Sequence, residues 1–241
     1  MLAVIRTEFA KLNRSLVLLL CAAAPTMVAV LVAIIFTQRE GDQTWAGYLL
    51  GGGALWAFFM LPMTVTALTI LIAQLEHGPR FWNHLFALPV PRWRFFAAKA
   101  AVVLTLVAAM TLVLFLLMPA LGMAADRVAT SRALTGPVGM GRFAEILASM
   151  YVGALLLIGL QLWAALRFRS FVPPLVLGIG GTFVAVAATG SDYGPYFPWL
   201  IPTNALAADP ARTELALGIG LHGGLLVLLA MMIDLSRRDA A

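Results

Sequence analysis

The sequence predicts an all-α integral membrane protein with six transmembrane helices, an amphipathic interfacial helix ahead of the first, and both termini in the cytoplasm. Hydrophobic residues make up 62% of the 241 residues and charged residues 11%, whereas soluble domains average about 45–50% and about 25%. A water-bounded core of this size cannot hide so many apolar side chains. The composition therefore excludes a soluble enzyme or a nucleic-acid reader, and lipid is the solvent for most of the chain.

The six spans follow from the positions of the charged residues. A membrane helix needs about 20 residues with few charges, and the acidic and basic residues leave six gaps of 19 to 33 residues. The whole chain, 1–241, is then a single transmembrane domain. The predicted spans are 16–36, 46–75, 100–118, 146–166, 172–188 and 215–233.

An amphipathic helix is predicted for residues 1–15. Apolar side chains including Ile5 and Phe9 recur every three or four residues, and Lys11 and Arg14 fall on the opposite side. Such a helix lies in the headgroup plane ahead of the first span. The alternative is a plain cytoplasmic extension of that span.

The loop 76–99 reads EHGPRFWNHLFALPVPRWRFFAAK. Glu76 ends the second span, Gly78-Pro79 breaks the helix, and a short aromatic-rich helix follows until Pro89 stops it. A short apolar helix at this position either lies on the bilayer or docks into a groove on a partner.

The orientation follows from the Lys and Arg residues in the short loops. With the N-terminus inside, eleven of the sixteen cationic side chains lie on the cytoplasmic side, which is the side they favour. There they face anionic lipid headgroups, so the net charge of +5 requires no nucleic-acid partner.

Two further regions carry candidate site residues. The outer segment 190–213 is rich in proline and aromatic residues, which indicates either interfacial anchoring or a re-entrant extracellular gate. Polar side chains inside the spans mark candidate walls of a substrate pathway, although most Thr hydroxyls bond to their own helix. The pathway candidates are Thr64, Thr66, Gln161 and His222.

The sequence lacks the patterns that an enzyme would need. No GxxxxGK[ST] motif is present, and the two lysines are Lys11 and Lys99, so a P-loop ATPase site is excluded. No clustered set of metal ligands or catalytic serine motif stands out, and we expect no metal or cofactor bound by this chain. A gradient-driven carrier or channel is the main alternative function, but such proteins bury several ionisable residues, and only His222 lies deep in a span. A membrane-embedded enzyme is the weaker alternative.

The loop and the layout resemble the ABC-2 type transporter permeases. Those chains share a Glu at the end of the second span, a helical stretch, a Pro-x-x-Arg turn and a Lys entering the third span. The matching positions are Glu76, Leu85, Pro89, Arg92 and Lys99, and the N-terminal helix matches at Glu8 and Lys11. The overall layout of spans and loops is most similar to that of the small permeases of the bacitracin-resistance and lantibiotic-immunity kind.

This resemblance implies the membrane subunit of an ABC exporter in the bacterial cytoplasmic (inner) membrane. It implies a cytosolic ABC ATPase dimer that holds ATP-Mg, a second permease chain (a copy or a relative), and an amphipathic substrate such as a peptide, antibiotic or lipid. The loop helix would carry ATPase motion to the spans, and the outer segment would form the gate. The coupling residues would be Glu76, Arg80, Phe81, Trp82, Leu85, Pro89 and Arg92, and the gate residues Asp192, Tyr196 and Trp199.

Overall fold

The computed structural model describes residues 1–13, 15–75, 91–128 and 133–237, and these ranges are almost entirely helical. Helix α1 spans Leu2–Lys11 and α2 spans Leu16–Gln38. Helix α3 (Trp45–Leu55), a π-helical turn (Trp56–Met60) and α4 (Leu61–Gln74) follow one another without a break. After them come α5 (Trp93–Val128), α6 (Met140–Gly153), α7 (Leu155–Arg167), α8 (Val172–Ala188), α9 (Pro210–Gly218), a second π-helical turn (Ile219–Gly223) and α10 (Gly224–Arg237).

Five helical stretches of the described residues are long and apolar enough to cross a membrane: Leu16–Gln38, Trp45–Gln74, Trp93–Val128, Met140–Arg167 and Pro210–Arg237. The sixth candidate is α8, whose 17 residues meet the lower limit of about 17–25 for a span. The prediction of an all-α membrane protein is confirmed. The count of six spans and the cytoplasmic location of both termini stay predictions.

Helix α5 is much longer than the predicted third span, 100–118. It has 36 residues, because the charged residues that end an apolar gap need not end the helix. Lys99 lies inside α5 and is only 1% exposed. Pro119 also lies inside it, which membrane helices tolerate when neighbouring groups satisfy the freed backbone.

Two caps set helix starts at the end of the bundle far from α1. Thr44 accepts a hydrogen bond from the Gly47 amide at 3.1 Å and so begins α3. Asp209 accepts one from the Ala211 amide at 3.0 Å, with Pro210 at the first helical position of α9. Residues 210–213, the last four of the predicted re-entrant segment, therefore form the first turn of α9.

The bundle is held by apolar packing between helices that are distant in sequence. Helix α2 packs against α5, α4 against α7 and α8, and α7 against α10. On α3, the Tyr48 ring meets Phe36 and Trp45 edge-on at centroid distances of 6.0 and 5.9 Å. Gly122 of α5 makes room for this cluster, since a Cβ there would lie 2.8 Å from both the Trp45 and Tyr48 rings.

The segment between α8 and α9 folds back into the bundle. It contains two 3-10 helices, Gly194–Tyr196 and Ile201–Leu206, and the second contacts α6 and both π-helical turns. Ile201 is 0% exposed and Ala205 3% exposed. Irregular backbone at this depth is tolerated because it is buried in protein.

Two short strands tie the outer connections together. Strand β1 (Gln43–Thr44) pairs in parallel with β2 (Leu134–Thr135). Side chains add to the pairing, since Asp126 accepts from the Leu134 amide at 2.6 Å and Asp42 from the Ala133 amide at 3.0 Å. These contacts fix the start of α3 beside the segment that precedes α6.

Candidate functional site

A buried ion cluster joins α1 to the beginning of α5. Lys99 Nζ donates to Glu8 Oε2 at 2.8 Å, and the two residues are 91 positions apart in the sequence. Lys11 Nζ donates to Glu8 Oε1 from the next turn of α1. Both lysines of the chain therefore bind the same carboxylate, that of Glu8.

The orientation of α1 follows from this cluster. Glu8 is 6% exposed and Leu12 3% exposed, whereas Phe9 is 37% exposed. The face packed on the bundle is thus centred on Glu8 and Leu12, and Phe9 of the predicted apolar stripe points away from it. A charged residue bound to Lys99 takes the inner position, and contact of the apolar stripe with lipid stays a prediction. Lys11, expected on the polar side, is half-buried beside Glu8.

The electrostatics keep Glu8 ionised. Burial alone would raise its pKa, but the charge of Lys99 and the hydrogen bonds and charge of Lys11 more than offset burial, so the pKa lies below its ordinary value. A buried charge needs such partners. The cluster is a fixed polar joint between α1 and α5.

The joint lies close to the end of the loop predicted to bind an ATPase. Arg92 begins the turn before α5, and its carbonyl accepts from the Phe95 amide at 3.1 Å. Lys99 follows seven residues later, about 10 Å along the helix. The other coupling candidates, and Arg14 of the interfacial helix, lie outside the described residues: Glu76, Arg80, Phe81, Trp82, Leu85 and Pro89.

Two of the pathway candidates meet inside the bundle. Gln161 Nε2 of α7 donates to Thr66 Oγ1 of α4 at 2.8 Å, and Thr66 Oγ1 donates to the Pro62 carbonyl at 2.8 Å. Both side chains are at most 2% exposed. Gly178 of α8 presses on the pair, since a Cβ there would lie 2.1 Å from Thr66 Oγ1. The pair is a buried polar contact between α4 and α7 that α8 covers.

The other two pathway candidates behave differently. Thr64 is buried and donates to the Met60 carbonyl of its own helix. His222 is exposed on the outside of the chain, in the second π-helical turn, with Nδ1 2.9 Å from the Gly218 carbonyl. The polar contact of His222 is therefore with the backbone of its own helix.

The gate candidates separate into one buried and two exposed residues. Trp199 is 4% exposed and stacks on Phe197 with a centroid distance of 5.5 Å. Gly181 of α8 leaves room for the indole, because a Cβ there would lie 2.3 Å from it. Asp192 and Tyr196 are exposed in the segment that precedes Trp199.

Comparison with known proteins decides the family. Residues 4–185 match the family described as ABC-2 family transporter protein. The chain belongs to the ABC-2 transporter family. No curated protein and no solved structure matches it.

Membership in the ABC-2 family confirms the resemblance stated from the loop and the layout. An ABC-2 permease is the membrane component of a transporter and is not itself catalytic. The matched range includes the Glu8 cluster and the Thr66–Gln161 pair. Asp192, Tyr196, Trp199 and His222 lie beyond it.

The structure of this ABC-2 chain also shows a polar contact that the sequence reasoning missed. Trp163 Nε1 of α7 donates to Asp234 Oδ2 of α10 at 3.0 Å, and Arg167 Nη1 lies 3.6 Å from the same oxygen. Arg167 and Asp234 each bound an apolar gap in the sequence. The opposite charges at these two helix ends could have suggested an ion pair. Pairing them, however, requires knowing that α7 and α10 are neighbours.

Proposed function

We propose that this chain is the permease subunit of an ABC-2 type exporter, driven by a separate cytosolic ATPase that docks on the 76–92 segment. The family membership and the multi-pass helical architecture support a transporter permease. The observation that carries the coupling proposal is the buried Glu8–Lys99 ion pair, because it joins α1 to the first turns of α5, which follow this segment in the sequence.

The joint gives the docking segment a mechanical connection to the membrane. Helix α5 is a continuous helix of 36 residues, roughly 54 Å long, and it packs against α2 and α10. A displacement at its first turn is therefore carried toward the opposite end of the bundle. In this account, Phe81, Trp82 and Leu85 seat in the ATPase, Arg80 and Arg92 meet acidic groups there, and Glu76 and Pro89 bound the docking helix.

Energy comes from the partner. The sequence has no GxxxxGK[ST] run, so ATP-Mg is bound by the ATPase dimer. The excess of Lys and Arg on the α1 side favours a cytoplasmic location for both termini and the docking segment, facing that dimer. Together with the ABC-2 family membership, it supports a place in the bacterial cytoplasmic membrane.

The exposed positions suggest how two permease chains share the pathway. His222 points outward from the second π-helical turn, a type of helix irregularity that is frequent at functional sites. An ionisable residue at this depth faces a cavity or a partner more readily than lipid. We place His222 on the surface that meets the second permease chain, a copy or a relative. The Thr66–Gln161 pair holds α4, α7 and α8 in register, and Thr64 stays on its own backbone.

The substrate class follows from the apolar surroundings. Scattered hydroxyl and amide groups within apolar spans suit an amphipathic peptide, antibiotic or lipid. At the end of the bundle opposite to α1, the buried Trp199 and the exposed Asp192 and Tyr196 form the extracellular gate.

The docking proposal is tested by a pair of matched double variants. Trp82→Asp/Leu85→Asp places two charges on the docking helix, and Phe168→Asp/Phe171→Asp places two charges on the other loop predicted to be cytoplasmic, where both side chains are exposed. With the tagged chain purified in mild detergent, we expect the ATPase to co-purify with the wild type and the second variant, and to be lost from the first. Retention of the ATPase by the first variant, with the chain still in the membrane, would contradict docking at this segment.

A further inference from the structure

A cavity of about 260 Å³ lies at the end of the bundle opposite to α1. Its walls come from the first turns of α3, from the start of α6, and from the end of the second 3-10 helix with the residues that follow it. Leu49 and Leu50 form one side, Phe143 and Ile146 a second, and Leu206 to Ala208 a third. None of the residues named for the docking loop, the pathway or the gate lines this cavity, although Ala205 to Ala208 belong to the outer segment 190–213.

The walls are apolar with one exception. Arg142 is the charged side chain among the described lining residues. It lies 3.2 Å from Glu145, and the two side chains are 70% and 69% exposed, so this ion pair is weak. A guanidinium has five N–H donors, so pairing with one carboxylate leaves donors for a ligand at the mouth.

The beginning of α6 adds to the positive potential at the mouth. Gly139, which lines the cavity, is the N-cap residue of α6 in a left-handed conformation with φ of 63°, and it supplies no side-chain cap. The first amides of this 14-residue helix and the Arg142 side chain thus share one end of the cavity. Helix N-termini favour negative charge.

We propose that this cavity binds a single-chain anionic amphiphile, with the end of its hydrocarbon chain between α3 and α6 and its carboxylate or phosphate at Arg142. Apolar cavities exclude water and accept hydrocarbons, and one of 150 Å³ holds benzene, so this volume suits about ten non-hydrogen atoms. A chain of about ten carbons with one negative headgroup matches both the volume and the charge. The proposal goes beyond ATP-driven export, since binding needs no ATPase partner.

The probe is decanoic acid that carries a photoactivatable diazirine at the chain end, with the corresponding decanol as the neutral comparison. The full-length chain is placed in nanodiscs of phosphatidylcholine, irradiated, and digested. We expect saturable labelling of the decanoic acid probe on residues 46–50, 142–146 and 205–208. Labelling confined to exposed lipid-facing side chains such as Leu226 of α10 would overturn the proposal.

Two substitutions separate the apolar wall from the charged mouth. Ala208 lines the cavity and is exposed, so Ala208→Trp fills the cavity from its rim and is expected to lower labelling of both probes several-fold. The matched control is Ala124→Trp, at an exposed position of α5 outside the lining, which should leave both unchanged. Arg142→Gln should lower acid labelling about tenfold, as the loss of one charge-assisted hydrogen bond predicts, and leave decanol labelling unchanged.

Each result has one meaning. Equal labelling in Ala208→Trp and Ala124→Trp would overturn the cavity as the binding site. An equal loss of acid and alcohol in Arg142→Gln, or no loss of either, would overturn the anionic class. Background labelling of Leu226 reports that each variant is folded in the bilayer, so a misfolded variant is recognised and replaced by Ala46→Trp, which fills the cavity from the α3 side.

Discussion

Glu8 Oε2 and Lys99 Nζ lie 2.8 Å apart, buried between the interfacial helix and the first turns of α5. Few charged residues exist in this chain, and burying two of them is costly unless they pair. The pair fixes α1 at one place on the bundle. It also connects α1 to the helix that follows the proposed ATPase-docking loop in the sequence.

Lys99→Met should destabilise the protein. The substitution leaves Glu8 buried with only part of its compensation, and breaking such a pair costs about 3–5 kcal/mol. The remaining contact with Lys11 places the expected loss at the lower end of that range. Thermal unfolding in detergent measures it.

The matched control for Lys99→Met is Arg142→Gln, which breaks an ion pair whose side chains are about 70% exposed and should change stability by less than about 0.5 kcal/mol. Glu8→Gln/Lys99→Met should be more stable than Lys99→Met alone, because no uncompensated charge is left. A double variant as unstable as the sum of its single variants would mean that the two residues do not interact.

The stability contributed by Glu8 should depend on pH. Burial tends to raise its pKa, but Lys99 and Lys11 bring the pKa below its ordinary value. The folded pKa is therefore below the unfolded one, so the contribution is complete at neutral pH and is lost as the pH falls below about 4.3 toward the folded value. Melting temperatures of wild type and Glu8→Gln between pH 3 and 7 should differ most at pH 7 and converge in acid. A difference independent of pH would speak against an ionised Glu8.

Gly178→Ala should disrupt the contact between α8 and the Thr66–Gln161 pair. A Cβ at this position would lie 2.1 Å from Thr66 Oγ1 and 2.4 Å from Gln161 Nε2, and overpacking of this kind costs about 1–3 kcal/mol. Gly180→Ala is the control, since a Cβ there meets nothing within 4 Å; it should be neutral or stabilising by up to about 1 kcal/mol. Equal melting temperatures of the two variants would show that α8 does not pack as described.

Cysteine labelling tests two predictions together: that α8 spans the membrane, and that both termini are cytoplasmic. Ser170 and Ser191 are exposed at opposite ends of α8. In a Cys21→Ala background, Ser191→Cys should react with a membrane-impermeant maleimide in intact cells, whereas Ser170→Cys should react only after lysis. Labelling of both in intact cells would mean that α8 does not span, and the reversed pattern would invert the topology.

The long stretches without charged residues predicted the helices well. A segment that crosses lipid must satisfy its backbone hydrogen bonds internally, and so it forms a helix. Helix α8 has the bounds that the sequence predicts for a span, 172–188. The helix at 100–118 was predicted too short, because its flanking charges are accommodated by partners such as Glu8. Whether a charge ends a helix depends on packing, which the charge pattern does not contain.

The sequence indicated which residues the candidate site contains, but not which of them are in contact. The family pattern drew attention to Glu8, Lys11 and Lys99, but not to their meeting on one carboxylate. The polar character of Thr66 and Gln161 was visible, whereas their burial under Gly178 depends on the approach of α8. The roles proposed for Trp82 and Leu85 stay predictions, since both lie outside the described residues.

Transport into inside-out membrane vesicles shows whether ATP hydrolysis drives export through this permease. Vesicles containing the chain and its ATPase are given ATP, a non-hydrolysable ATP analogue, or ATP with a protonophore, and uptake of a panel of labelled amphipathic peptides and antibiotics is measured. We expect uptake with ATP that is absent with the analogue and persists with the protonophore. Uptake that proceeds without ATP hydrolysis and collapses with the protonophore would contradict ATP-driven export and would identify a gradient-driven carrier instead.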